Sequence, residues 1–235
     1  MFTVIIFCAG QSLAQEFEQQ KSIDNAVIRY LNTVSRQSAL YYGKIHQGHP
    51  PTPTHPYLKE ANYVKASLSY LGADYPEEML LLDWNRNELV VLSPDNAHIV
   101  LFPENLDHAI LHGYHVFYLQ NDGLPGCPPT GYYIQLYSGK YKAYKKVTAR
   151  MMEYEWMPGR EFSTGTDYVT KTRFYLYKDN AYHIIQNKNA LLRNLKPYKK
   201  ELKKYISNNN LRFQQDAEDL IARTVKEYER LSEMK

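Results

Sequence analysis

The sequence predicts an α+β fold: an antiparallel β-meander, curled toward a barrel or a sandwich, with an N-terminal helix and a C-terminal helical tail. From about Tyr63 to Asn187, β-prone runs alternate with turn signals at short, fairly even spacing. Connections that short imply antiparallel pairing, because parallel neighbours need crossovers of a dozen or more residues. Outside this region, apolar residues recur at helical spacing instead. The 22 tyrosines, against 8 Phe and 2 Trp, fit the same picture. A Tyr ring covers a pleated surface while its hydroxyl stays wet.

Phe2 to Phe7 is almost unbroken in its apolar character, and Ser12-Leu13-Ala14 precedes an abrupt change to Gln15-Glu16-Phe17-Glu18. An apolar core followed by a small-x-small site predicts a signal peptide at 1–14. The run is too short for a permanent membrane span, which needs ~20 apolar residues. Residues 15–47 are expected to form a helical segment, with Ile23, Val27, Tyr30, Leu31 and Val34 on one face and Ser22 or Asp24 as cap. Residues 48–56 hold four prolines in seven positions, which forbids helix and favours an extended connector.

In the β domain, 57–187, Met79 to Trp84 and Glu88 to Leu92 flank Asn85-Arg86-Asn87 as a hairpin. Further strands are expected at His98 to Phe102, Tyr114 to Leu119, Tyr132 to Tyr137, Tyr141 to Ala149, Tyr168 to Tyr177 and Ala181 to Gln186. The tail, 188–235, is expected to pack on the sheet. A short helix spans Asn189 to Leu195, and Pro197 is well placed as the first residue of the next. A third begins near Asp216, where Ala217, Leu220, Ile221, Thr224, Val225, Tyr228 and Leu231 share a face.

Composition narrows the functional classes. A net charge of +3 is too small to imply nucleic acid as a partner. The cysteines are Cys8 and Cys127, and Cys8 lies inside the signal, so the exported chain would carry one thiol and no internal disulfide. Nothing after the signal is apolar for long enough to span a membrane. The chain has no GxSxG, HExxH, phosphate-binding GxxxxGK[ST] or calcium-loop pattern. That weighs against an enzyme, and no catalytic residue or cofactor is assigned.

Four groups of residues remain as candidates. His108 and His112 would share a face of a helix or a strand, a spacing that suits zinc, nickel or copper, whereas His115 would point away. His46, His49 and His55 make a weaker set, because a mobile connector does not preorganise ligands. Lys196, Lys199, Lys200, Lys203 and Lys204 occupy one face of the penultimate helix, opposite Tyr198, Leu202, Tyr205 and Ile206. Such a face suits lipid headgroups, an acidic polysaccharide or an acidic protein patch. Finally, Tyr133, Tyr137, Tyr175 and Tyr177 alternate with Ile134, Leu136, Phe174 and Leu176, which predicts an exposed aromatic surface.

The blocks His55-Pro56-Tyr57-Leu58, Leu80 to Val91, Gly131 to Gly139 and Leu191 to Phe213 together resemble an uncharacterised family of secreted β-rich proteins from Bacteroidetes-type Gram-negative bacteria. The resemblance implies an exported β-rich fold with a helical tail, in the periplasm or outer envelope. It implies no activity, cofactor or site residue. The function expected is that of a non-catalytic envelope interaction module whose partner is an envelope protein or a glycan. The alternative is a β-barrel-like protein holding a small ligand or glycan in a Tyr-lined cavity, and a hydrolase without a recognisable motif ranks below both.

Overall fold

Eleven antiparallel strands form one open sheet in the computed structural model, which describes residues 21–23, 39–154 and 165–234. The expected signal peptide and nearly all of the expected N-terminal helix lie outside the described residues; 21–23 are helical. The strands are β1 (Lys44–Ile45), β2 (Val64–Tyr70), β3 (Ala73–Asp83), β4 (Glu88–Leu92), β5 (His98–Val100), β6 (Leu106–Leu111), β7 (Tyr114–Leu119), β8 (Gly131–Ser138), β9 (Lys142–Tyr154), β10 (Gly165–Lys178) and β11 (Ala181–Ile185). Their spatial order is β1-β5-β4-β3-β2-β6-β7-β8-β9-β10-β11. The sheet therefore begins at Lys44, inside the segment expected to be helical through 47. Lys44 and Ile45 pair with Val100 and Ile99, and that pairing claims them as an edge strand.

Register shifts at Ala66/Leu68, Ser69/Tyr70 and Gln135/Tyr137 bend the sheet by sharpening its local twist. The curl lets one core draw on strands far apart in the order: Leu68, Leu80, Leu89, Leu111, Val116, Tyr132 and Ile134 all belong to it. A second core lies under the tail. Its helices are α1 (Lys188–Asn194), α2 (Lys199–Asn208) and α3 (Ala217–Glu233). Leu202, Ile206, Leu220, Ile221 and Val225 pack there with Ala143, Leu176 and Ile185. Asn187 caps α1 and Asp216 caps α3, each side chain accepting a backbone N–H at 2.9 Å. Lys145 on β9 pairs with Glu218 on α3 at 2.5 Å. Among the described residues no helix is long and apolar enough to cross a membrane.

A fork in the sheet holds the curl in place. The ladder between β8 and β9 ends at Ile134 and Lys145. Beyond that point the turn between β3 and β4 occupies the gap: the Ala149 N–H donates to the Trp84 carbonyl at 3.3 Å, and Asn85 Nδ2 donates to the Ala149 carbonyl at 3.0 Å. Asn87 Oδ1 accepts from the Tyr132 N–H at 3.1 Å and from Lys146 Nζ at 2.8 Å. Lys146 also donates to the Tyr132 carbonyl at 3.0 Å, and its ammonium lies over the Tyr133 ring. Gly131 must lack a side chain here, because a Cβ would come within 2.4 Å of both Lys146 Nζ and Asn87 Oδ1.

Burial lowers the Lys146 pKa to about 8. Between that value and the usual 10.5, an unfolded chain keeps a proton that the folded chain has released, so stability rises with pH across this window. Chemical denaturation between about pH 7 and 9.5 should show this rise in the native chain and lose it in Lys146→Met. Asn87→Ala leaves the ammonium and the Tyr132 N–H without their shared acceptor, and should cost about 2–4 kcal/mol in the same measurement.

Candidate functional site

The proline-rich connector is built into the fold rather than leading up to it. After β1, the His46 N–H donates to the His98 carbonyl at 2.8 Å, which carries the chain toward the β3–β4 hairpin. Thr54 then reaches β10: its hydroxyl bonds Asp167 and the Tyr168 carbonyl, and its N–H donates to Asp167 Oδ1 at 3.0 Å. The chain turns back along β3, where Leu58 N–H donates to Leu82 and Trp84 N–H to Pro56. An extended proline-rich chain suits this path, because its backbone groups are free for neighbours outside it.

This strap places two histidines on the end of the hairpin. His46 Nδ1 lies 2.9 Å from Glu88 Oε2, and its Nε2 lies 3.9 Å from Asp83 Oδ2. His49 Nε2 lies 2.5 Å from the same Asp83 oxygen, and its Nδ1 lies 2.7 Å from the Tyr168 hydroxyl. Asp83 is fully buried; its Oδ1 accepts the N–H groups of Asn85 and Arg86 at 2.8 and 3.0 Å. Tyr57 covers the group with its ring against His49, and His55 stacks on Tyr57.

Asp83, His49 and Tyr168 form a chain of hydrogen bonds of the kind that activates a nucleophile. Here burial, reinforced by the Asp83 charge, pushes the Tyr168 phenol up, so it keeps its proton. The chain therefore positions groups rather than generating a phenolate. Sequence reasoning set these histidines aside because the connector was expected to be mobile. A signal was nevertheless present: His46 and His49 stand three residues apart beside a run rich in proline.

The other histidine set does not assemble. His108 is on β6, where its ring lies against Phe117. His112 sits in the turn after β6 at φ +50, off the strand, so the shared face expected for His108 and His112 does not form. Cys127 is half-buried in its loop, and burial pushes its thiol up, away from reactivity.

The expected aromatic surface is corrected by the same kind of covering. Tyr133 and Tyr175 are buried, at 0% and 2% exposure, and with Tyr144 form a small core of their own. Alternation did separate them from the face that carries Ile134 and Leu176. What it did not reveal is that the Pro- and Gly-rich loop folds over this second face, where the Tyr133 hydroxyl donates to Pro129 and the Tyr182 N–H to Pro125. Tyr177 remains half-buried at its margin, whereas Tyr137, past the register shift in β8, is half-buried against the core under the tail.

Four of the five lysines lie on α2, but that helix begins at Lys199 rather than at Pro197, so Lys196 precedes it instead of sharing its face. Lys196, Lys199, Lys200, Lys203 and Lys204 are all exposed, and Leu202 and Ile206 point into the core between them. None of the five makes an ion pair among the described residues. Lys203 also borders a groove of about 500 Å³ between α1 and α2, with Lys188, Ile206 and Arg212.

No family model, curated protein or solved structure matches the chain.

Burial of Tyr175 reverses the expectation for its removal. Tyr175→Ala should destabilise the fold by about 3–5 kcal/mol in denaturant titration, as loss of a core aromatic does. An exposed binding tyrosine would instead cost less than about 0.5 kcal/mol.

Proposed function

We propose that this protein is an exported, non-catalytic envelope interaction module that docks an acidic partner, an envelope protein or a glycan, through its helical tail. The carrying observation is where the charge lies. Residues 188–212 hold eight basic side chains and one acidic, a net of +7, whereas the whole chain carries +3; the rest therefore sums to −4. The five lysines of α2 and its approach are exposed and unpaired among the described residues, beside a groove bordered by two further cationic side chains, Lys188 and Arg212. Export rests on the composition of residues 1–14 and on the resemblance to a secreted family.

The Tyr-lined cavity of the alternative reading loses its lining, because Tyr133 and Tyr175 pack against each other and against the covering loop. A long-range field from exposed lysines speeds encounter and is screened within about 8 Å at physiological salt. Docking of this kind is therefore salt-sensitive.

The test is capture from native envelopes by the mature chain, with Lys199→Glu, Lys200→Glu, Lys203→Glu and Lys204→Glu combined as the comparison. The reversed-charge chain should retain its melting temperature, because these side chains are exposed. It should lose at least about tenfold in affinity, since each reversal removes an attraction and adds a repulsion. Equal capture by both chains would rule out the lysine face as the docking surface.

A further inference from the structure

We propose that His46, Asp83 and Glu88 form a binding site for a divalent transition-metal ion of the zinc class, with His49 and Tyr168 holding Asp83 in position. Each of the three brings a ligand atom within 4.8 Å of the other two. His46 Nε2 is buried and has no hydrogen-bond partner, and it faces Asp83 Oδ2 at 3.9 Å. A buried nitrogen left in that state forfeits the full worth of a hydrogen bond unless something else accepts its lone pair. A metal ion does so.

Charge and geometry agree with this reading. The two carboxylates flank the imidazole, Asp83 at Nε2 and Glu88 at Nδ1, and neither forms an ion pair with a Lys or Arg among the described residues. An ion on Nε2 meets Asp83 directly, and Glu88 joins it by giving up its hydrogen bond to Nδ1. Zinc bonds to nitrogen and oxygen of about 2.0–2.2 Å place neighbouring donors roughly 3.3 Å apart, so the 3.9 Å separation needs a contraction of about half an ångström. An imidazole with two carboxylates suits zinc and its neighbours better than calcium or magnesium, which take oxygen ligands. The side chains of His46 and Asp83 are 2% and 0% exposed, and that of Glu88 is 29% exposed, which leaves one side open for the ion to approach.

The surrounding shell has the form that metal ligands require. A ligating carboxylate is itself held by hydrogen bonds, and such outer partners contribute 10–100-fold in affinity. Asp83 has three partners, the N–H groups of Asn85 and Arg86 and the His49 imidazole, and Tyr168 fixes His49 from β10. An ion here would join β1's extension to β3 and β4, and so act as a staple on the strap.

The test uses the full chain after chelation and dialysis, titrated calorimetrically with zinc chloride, with cobalt(II) absorption as a second probe and magnesium as control. The expected result is one saturable zinc site, visible cobalt bands from nitrogen and oxygen ligands, a raised melting temperature with zinc, and none of these with magnesium. His46→Ala should abolish saturable binding. Glu88→Gln, at a partly exposed position where the fold should stay intact by circular dichroism, should weaken it at least tenfold. His49→Ala should weaken it by about 10–100-fold. Absence of saturable zinc binding to the native chain, or equal affinity in native, His46→Ala and Glu88→Gln chains, would overturn the proposal. Equal affinity would place any bound zinc on the other histidines.

Discussion

The turn between β3 and β4, lodged in the fork between β8 and β9, is the contact on which the rest of the architecture depends. An open antiparallel sheet of this width has no intrinsic reason to stop curling at a particular point. Here the curl stops where Trp84, Asn85 and Asn87 take up the backbone groups that β8 and β9 no longer offer each other. The arrangement replaces a missing stretch of ladder with side-chain and backbone bonds from a turn. It also buries an ammonium, which is tolerated because Asn87, the Tyr132 carbonyl and the Tyr133 ring surround it. Asn87 can serve because it adopts φ +58, a conformation that asparagine accepts more readily than most residues.

The connector extends the same logic. It bonds the edge beside β5, the end of the β3–β4 hairpin and the flank of β10 within a dozen residues. Those three places are distant in the strand order, and the curl brings them together. Asp83 and Glu88 face each other as a cross-strand pair, so the hairpin register alone sets their separation. The histidines arrive from a segment with no strand of its own. The His–Asp–Glu group is thus a product of the fork: without the curl, Tyr168 would not back His49 and the strap would have no second anchorage.

Much of this fold was legible in the sequence, and what was missed shares a cause. The strongly apolar β4, the sharp turns around β7 and the long tyrosine-rich β8 were read nearly to the residue, as was the stripe on α3. β2, β6 and the first half of β3 were not. Val64 to Tyr70 contains Lys, Ala and two Ser, and Ala73 to Glu78 is acidic, so neither carries the β-branched and aromatic content that marks a strand. Pairing with neighbours on both sides makes β2 a strand despite its propensity. The site failed to show for a different reason. His46 and His49 were visible, but their carboxylate partners lie 34 to 42 residues away, and no local pattern announces a contact of that length. The covering of Tyr133 and Tyr175 was hidden likewise, because a Pro- and Gly-rich loop reads as an excursion into solvent and here is a lid on the sheet.

The lysine face is the feature that packing does not account for. Leu202 and Ile206 supply the buried side of α2, and exposed neighbours of any polar kind would leave that contact unchanged. Lys199 with Lys203 and Lys200 with Lys204 are like charges four apart, an arrangement that costs a helix about 0.2–0.5 kcal/mol per pair. Glu201 is the lone acidic residue available to relieve them within 188–212, and it is exposed. Elsewhere the same tail balances its charges: Arg223 pairs with Asp219, Arg230 with Glu227, and Glu218 reaches across to Lys145. Both helices bury an apolar stripe in the same core, so that packing does not explain the difference in their charge. A helix that bears repulsion its neighbour avoids is not explained by packing, and the proposed acidic partner would offset that cost on contact.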